Sequence, residues 1–318
     1  MSELPDVQNR VDTRGIAIDR VGVTGIIFPT KVRVKRNKMD ESALTLTQET
    51  PAIVDLYVGL PHEFKGVNMS RFMECLLAFH EKGAGFISCA TLPDLLTRLQ
   101  TEMDSEDAYV RMEFDYFITK FSPVTQIPAP QAYRCAFSGI MKQNEYEFIL
   151  EVNTTAASLC PCSREMSLLE NLNYKDIKWN LSPDPHDAYT AITKKIFDDA
   201  SHVEMSQQVG MGAHNQRSLI RVQLTAKENQ TIWIEDVIEA SENAASAPTY
   251  PLLKRPDEKF VTEMAYQNAK FSEDIMRDLQ TGISALEGID QWSLKVENQE
   301  SIHPYSVTCY LKSPLWKH

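Results

Sequence analysis

The order in which strand-like and helix-like patterns follow one another is the feature that most constrains the fold of this chain. In the first half, two segments rich in β-branched residues precede two segments with apolar residues at helical spacing, and two further strand patterns follow, at residues 23–36, 51–60, 69–82, 92–103, 108–120 and 131–142. Asn68 is a suitable N-cap for the first helix, and Gly83 is a suitable stop. The first half therefore predicts the order strand, strand, helix, helix, strand, strand.

The second half repeats this order, with the longer of its two helix patterns broken near Ala269. Its two strands, two helices and two strands are predicted at residues 146–153, 218–226, 232–244, 256–286, 292–297 and 306–312. A repeated ββααββ unit predicts an α+β fold in which helices cover one face of antiparallel sheets. We expect two units, residues 1–143 and 144–318, with an insertion at about 168–211 that carries one helix.

The charge balance and the cysteine content limit the class of protein. The net charge of −12 argues against broad binding to nucleic acid polymers or to anionic membranes, because both need a basic face. Six cysteines in 318 residues are too few for a disulfide scaffold. The polar start of the sequence resembles no signal peptide, and no apolar run reaches the ~18 residues of a membrane span. We therefore expect a cytoplasmic protein, in which an anionic substrate would need a local basic patch.

The segment Ser158–Glu165, which reads SLCPCSRE, is the first concentration of residues that could carry chemistry. A thiolate can be a metal ligand or a nucleophile, and Pro161 stiffens the turn that would present it. The competing interpretation is a pair of buried structural cysteines. A zinc finger is excluded, because no second pair of ligands completes a closed four-ligand site.

Further candidate residues follow in separate segments. His214 lies in GAHNQRS directly before a strand pattern, where a polar loop is the alternative interpretation. Glu258 lies in KRPDEK at a predicted helix start, where acidic residues also serve as helix caps. Together with Cys160, these residues could form a three-ligand metal site that leaves a position open for water.

Taken together and in order, these motifs resemble those of the type IB GTP cyclohydrolases, the prokaryotic family that opens GTP for folate and pterin synthesis. The resemblance runs over nearly the whole chain and rests on PDVQNRVDTRGIAIDRVGV, KGVNMSRF, SLCPCSREMS, GAHNQRS, LLKRPDEKFVTEMAY and KFSEDIMRDL. It implies a tandem tunnelling fold, in which each chain has two ββααββ units and four chains form a homotetramer with sites at subunit interfaces.

The resemblance also implies roles for individual residues. Cys160, His214 and Glu258 would bind one divalent metal ion, which could be zinc, manganese or iron. Glu273 would anchor the guanine ring, and His303 would be the catalytic histidine. A metal-activated water would attack C8 of GTP, formate would leave, and 7,8-dihydroneopterin triphosphate would form. From their charge, four residues are candidates for binding the triphosphate: Arg71, Arg217, Lys254 and Arg255.

The sequence departs from the family pattern at three places. The segment 168–211 separates two motifs that the family joins by a few residues, Asn68 replaces a usual histidine, and Pro304-Tyr305 stands where a second histidine is common. Two other functions compete with this one. The nitrile reductase of queuosine synthesis is disfavoured because its lysine-rich motif is missing. The other alternative is a catalytically silent metal-binding or assembly protein.

Overall fold

An antiparallel sheet runs through both halves of the chain in the computed structural model, which describes residues 11–35, 47–143, 145–169, 213–227 and 230–318. Its strands are β1 (Ile18–Arg33), β2 (Thr47–Leu60), β3 (Asp107–Phe121), β4 (Pro128–Lys142), β5 (Glu145–Leu159), β6 (Asn215–Ala226), β7 (Ala247–Pro248), β8 (Ile289–Gln299) and β9 (Ser306–Lys312). They are ordered β1-β2-β3-β4-β5-β6-β8-β9, with the short β7 paired to β5.

The helices cover one face of this sheet. Those in the described residues are α1 (Met69–Gly83), α2 (Leu92–Met103), α3 (Pro161–Leu169), α4 (Ile234–Ala244), α5 (Arg255–Gln267) and α6 (Ser272–Ser284). Every second residue of β2 is buried, including Val54, Leu56 and Val58, because one face of the strand packs on apolar side chains. Phe72 of α1 and Leu96 of α2 belong to the same core. The predicted α+β fold with helices on one face is therefore confirmed.

The helix signals in the sequence were accurate. Asn68 caps α1 by accepting a hydrogen bond from the Ser70 N–H at 3.2 Å, and the helix ends at Gly83 as predicted. The break near Ala269 is confirmed too, because α5 ends at Gln267 and α6 begins at Ser272.

Several boundaries differ from the prediction. Strand β2 begins at Thr47 rather than at 51, β5 continues to Leu159 rather than ending at 153, and β6 and β8 each begin three residues earlier than predicted. Strand β1 begins at Ile18 rather than near residue 23, because irregularities after Ile18 and Val23 disrupt the alternating pattern that marks a strand. No helix was predicted at Pro161–Leu169, where α3 continues into the start of the expected insertion. The rest of that insertion, with its predicted helix over 188–200, lies outside the described residues.

A buried polar cluster joins the first half to the second. The Lys120 ammonium of β3 donates to both carboxylate oxygens of Glu242 on α4, each at 2.8 Å, and to the Thr249 carbonyl at 2.7 Å. The Tyr133 hydroxyl of β4 donates to Glu242 at 2.7 Å. The side chains of Lys120 and Glu242 are only 11% and 12% exposed, so each charge depends on the other.

None of the helices in the described residues has the length and apolar character needed to cross a membrane.

Candidate active site

The ends of four strands meet at one end of the sheet in the second half. Leu159 at the end of β5 pairs with Asn215 at the start of β6, and Gln299 at the end of β8 pairs with Ser306 at the start of β9. Strands β6 and β8 are also paired, through Arg217 and Gln299. The residues that follow or precede these strand ends therefore gather in one place, which we call the β5 end of the sheet.

Cys160 and His214 extend the β5–β6 pair by one residue. The Cys160 N–H donates to the His214 carbonyl at 3.3 Å. Residues directly opposite in an antiparallel pair carry their side chains on the same face, with Cβ atoms about 4.5–5.5 Å apart. Two of the three predicted metal ligands are thus neighbours. In the sequence they are separated by 53 residues, and residues 170–212 of that stretch lie outside the described residues.

Glu300 lies behind His214 and was not predicted. Its Oε2 is 3.5 Å from His214 Nδ1, and neither atom has a hydrogen-bond partner within the part of the chain that the structure describes. The two side chains are 7% and 16% exposed. This geometry points Nδ1 at a carboxylate and leaves Nε2 as the nitrogen available to a ligand, which is the arrangement that orients metal-binding histidines in proteins.

A buried polar network holds Glu300 in place. Gln216 donates through Nε2 to Glu300 Oε1, and its own Oε1 accepts from Ser158 Oγ at 3.2 Å and Asn298 Nδ2 at 3.0 Å. Ser218 Oγ donates to Asn298 Oδ1 at 2.7 Å. Because strands β5, β6 and β8 all contribute to it, the network fixes the position of Glu300 relative to His214.

The turn that carries Cys160 leads directly into α3. The Cys160 carbonyl accepts from the Arg164 N–H at 3.1 Å, and Pro161 occupies the first helical position, where its missing N–H costs nothing. Cys160 is half-buried and Cys162 is exposed, so the interpretation of two buried structural cysteines is wrong. The Arg164 guanidinium lies 5.2 Å from the centre of the Tyr266 ring, which places α3 against α5.

The third predicted ligand, Glu258, is exposed in the first turn of α5. Among the residues that the structure describes, no three His, Cys, Asp or Glu side chains form a group that could hold a metal ion. The neighbouring Asp257 is fully buried. Burial raises the pKa of Asp257, but hydrogen bonds from Thr125, Lys254 and Val124 outweigh this effect and lower the pKa below its usual value.

Glu273 and His303 lie at the β5 end of the sheet as well. The Lys270 N–H donates to the Leu159 carbonyl at 3.1 Å, and this contact brings the start of α6, with the exposed Glu273, next to the end of β5. His303 lies in the exposed loop between β8 and β9. The Tyr305 ring, at the position where the family usually has a histidine, stacks on the His303 imidazole with centres 5.0 Å apart and planes inclined by 8°.

The four predicted triphosphate ligands are divided between two places. Arg217 is exposed on β6, three residues beyond His214, and Lys254 and Arg255 are exposed at the start of α5. Arg71 on α1 donates to the Glu102 carbonyl at 2.7 Å, close to the start of β3. The start of β3 pairs with the end of β4, so within one chain Arg71 lies at the opposite end of the sheet from Cys160.

Comparison with known proteins decides the family. A family model described as type I GTP cyclohydrolase FolE2 matches residues 4–309. The chain belongs to this FolE2 family. The prediction of a GTP cyclohydrolase, a hydrolase, is confirmed at this level, and membership counts against a nitrile reductase.

Individual relatives of this FolE2 chain agree with the family assignment. The GTP cyclohydrolase FolE2 of Magnetococcus marinus is 38% identical over 309 residues, which cover 97% of this chain and 96% of the relative. The protein of the same name from Syntrophobacter fumaroxidans is 37% identical over 302 residues, which cover 95% and 96% of the two chains. Among solved structures, uricase from Arthrobacter globiformis matches 94% of this chain and 95% of its own, with a TM-score of 0.50 and 7% sequence identity. That likeness concerns the fold alone.

Proposed function

We propose that this chain hydrolyses GTP to 7,8-dihydroneopterin triphosphate and formate at the β5 end of the sheet, as the first step of folate and pterin synthesis. Family membership supports the activity. The observation that carries the location is the direct pairing of Cys160 with His214, with Glu300 behind the imidazole. Sulfur and nitrogen donors side by side, with a carboxylate to orient the nitrogen donor, are typical of catalytic metal sites.

One divalent cation would be held by Cys160, His214 and Glu258, of which the described residues bring Cys160 and His214 side by side. Zinc, manganese and iron all accept such a combination of sulfur, imidazole and carboxylate ligands. Bound there, the ion would lower the pKa of a water molecule so that hydroxide is available near neutral pH to attack C8 of guanine. Glu300 would keep His214 in the tautomer that presents Nε2, because its carboxylate, 3.5 Å from Nδ1, would accept a hydrogen bond from a protonated Nδ1.

The remaining residues at the β5 end would recognise and process the nucleotide. The Glu273 carboxylate would accept hydrogen bonds from guanine N1–H and the 2-amino group, a pair of donors that adenine lacks. His303 would give and take protons as the imidazole ring opens and formate leaves. Both side chains lie on exposed segments, where a ligand can reach them.

The triphosphate would lie among the cationic side chains of Arg217, Lys254 and Arg255. Arg71 would join them only from a second subunit, because within one chain it lies at the other end of the sheet. This requirement supports a homotetramer with sites at its interfaces. We further propose that each chain consists of two tunnelling-fold ββααββ units, residues 1–143 and 144–318, and that the protein works in the cytoplasm.

Replacing Cys160 by alanine tests the location of the site. The variant Cys160→Ala should release no formate from GTP, whereas Cys89→Ala, which removes another half-buried thiol from the α1–α2 connection, should keep the wild-type rate. Formate is measured enzymatically, and the pterin product by its fluorescence after oxidation. Full activity of Cys160→Ala would overturn the proposed site.

A further inference from the structure

A cavity lies in the middle of the sheet, at the point where β4 separates from β5. The pairing of β4 with β5 reaches only as far as Arg134 and Asn153. Nearer the β5 end of the sheet, Ala156 and Ala157 of β5 pair with β7 instead. The cavity beside this separation has a volume of about 460 Å³, which lies within the range of ~300–1,000 Å³ usual for small-molecule sites.

One row of polar side chains crosses the sheet at this cavity. Asn153 of β5 pairs with Arg134 on one side and with Arg221 of β6 on the other, and Arg221 pairs in turn with Lys295 of β8. Val222, the residue after Arg221, is buried in the core, so the row lies on the face of the sheet that the helices leave uncovered. Like charges directly opposite each other are destabilising, and an anion between Arg221 and Lys295 would remove that cost.

Two carboxylates also line the cavity, and each already has a cation beside it. Asp115 Oδ1 is 3.2 Å from Arg134 Nε, and Glu297 Oε2 is 2.7 Å from Lys295 Nζ. Arg221 is exposed and has no ion pair in the described parts of the chain. The cavity wall therefore has one positive charge in excess, which lies on Arg221.

The nearest further acid, Glu151, is committed to other partners. It is 7% exposed, lies 3.2 Å from Arg111, and accepts hydrogen bonds from Gln223 at 2.9 Å and from Asn153 at 3.2 Å. Its charge is thus balanced within the sheet, and Arg221 stays available to a ligand.

Two buried polar atoms of the cavity wall lack a hydrogen-bond partner among the described residues. They are Thr154 Oγ1 and Gln131 Oε1. Thr154 is 2% exposed, and Gln131 uses only its Nε2, which donates to Thr249 Oγ1 at 3.2 Å. Buried polar groups are normally paired, and an unpaired one costs stability. A water molecule could pair with each atom but would not balance the charge of Arg221, so the two observations together point to a polar anion.

We propose that this cavity binds a phosphate monoester that carries hydroxyl groups, such as a sugar phosphate, with the phosphate between Arg221 and Lys295. A phosphate group carries a charge of about −1.5 to −2 at pH 7, which matches two adjacent cations, and a guanidinium can give it two parallel hydrogen bonds. The ligand hydroxyl groups would donate to Gln131 Oε1 and pair with Thr154 Oγ1.

The proposed cavity site is separate from the candidate active site. Asn153 and Cys160 are seven residues apart on one extended segment, which corresponds to about 20 Å at a rise of ~3.3 Å per residue. Binding in the cavity needs no metal ion and does not rest on the proposed function, so either can fail without the other.

Isothermal titration calorimetry of the full chain with ribose 5-phosphate tests the proposal. We expect Arg221→Met to raise the Kd about 10–100-fold through the loss of charge-assisted hydrogen bonds, and Thr154→Val to raise it about 5-fold through the loss of one neutral bond. Glu297→Gln should lower the Kd about 2–5-fold, because it removes a negative charge from the cavity wall. Arg217→Met is the matched control, because Arg217 is an exposed arginine four residues nearer the β5 end on the same strand, and it should leave the Kd unchanged.

The same variants give the outcomes that would overturn the proposal. Weaker binding in Arg217→Met but not in Arg221→Met would place the phosphate at the candidate active site instead. Inorganic phosphate that binds as tightly as ribose 5-phosphate would overturn the ester, and no binding of either at millimolar concentration would overturn the site. Urea unfolding checks the folding of each variant, and Thr154→Val without ligand should be at least as stable as the wild type, because it removes an unpaired hydroxyl.

Discussion

Replacing Glu300 by glutamine should weaken zinc binding about 10–100-fold while leaving the fold intact. The carboxylate faces His214 Nδ1 at 3.5 Å and accepts from Gln216 through its other oxygen. Glutamine has the same shape but only one acceptor atom. If that atom keeps the contact with Gln216, the amide NH₂ faces the Nδ1–H of a metal-bound His214, and two donors oppose each other. The hydrogen bond that Glu300 would accept from a metal-bound His214 would be lost, and the loss of such a bond to a charged group, about 1.5–3 kcal/mol, accounts for the expected change.

The assay is zinc titration of the metal-free protein against a chelator of known affinity, at one pH and one salt concentration. Glu297→Gln is the matched control, because Glu297 lies three residues earlier on the same stretch of chain and pairs with Lys295 rather than with a predicted ligand. A wild-type Kd for Glu300→Gln would refute the reasoning, since it would mean that the carboxylate does not orient His214. A similar loss in the control would show that the effect comes from charge in general.

Two further predictions concern stability and are measured by urea unfolding. Glu242→Ala should lower the free energy of unfolding by about 3–5 kcal/mol, because it leaves the buried Lys120 ammonium without its carboxylate. The double change Lys120→Met with Glu242→Leu should cost less, about 1–3 kcal/mol, because only the Tyr133 hydroxyl is left without its acceptor; equal losses in both proteins would contradict this. Glu151→Gln should be destabilising at neutral pH only. Burial raises the pKa of Glu151, but the charge of Arg111 and hydrogen bonds from Asn153 and Arg111 outweigh burial and lower the pKa below its usual 4.5. The stabilisation by Glu151 is therefore complete above pH 4.5 and is lost as the pH falls through the lowered pKa of the folded protein. If Glu151→Gln were as destabilising in acid as at neutral pH, the ionised carboxylate would not be the source of the stabilisation.

The parts of the structure that sequence reasoning predicted well are those set by local pattern. The apolar spacing of Phe72, Cys75, Leu76 and Phe79 indicated α1, and the buried alternation of β2 followed from its alternating apolar residues. Strand β1 was predicted too short because its irregular pairing removes that alternation.

The supporting contacts of the site could not be predicted, because they depend on the register of strands that are distant in sequence. Glu300 meets His214 only because β6 pairs with β8, and Asp257 meets Thr125 only because α5 lies against the β3–β4 turn. The signal for Glu300 was faint: an acidic residue three positions before His303, just beyond a strand pattern. For Asp257, helix capping was a sufficient local explanation and concealed its contacts with the β3–β4 turn.

The charge argument from composition also changes once the fold is known. A net charge of −12 is compatible with the proposed triphosphate site, because Arg217, Lys254 and Arg255 are exposed in the half of the chain that carries Cys160. Arg71 lies at the other end of the sheet, so under the proposed function it would reach the triphosphate only from a second subunit.

The most direct test of the central claim is GTP turnover by the metal-free protein to which zinc, manganese or ferrous iron is added back, one at a time. Formate and the fluorescent oxidised pterin are measured together, so that ring opening and reclosure are both recorded. We predict that at least one of these ions restores equal amounts of both products in the wild-type chain. None of the three ions should restore either product in Cys160→Ala. Equal turnover without metal, or no product with any of the three ions, would contradict a metal-dependent GTP cyclohydrolase.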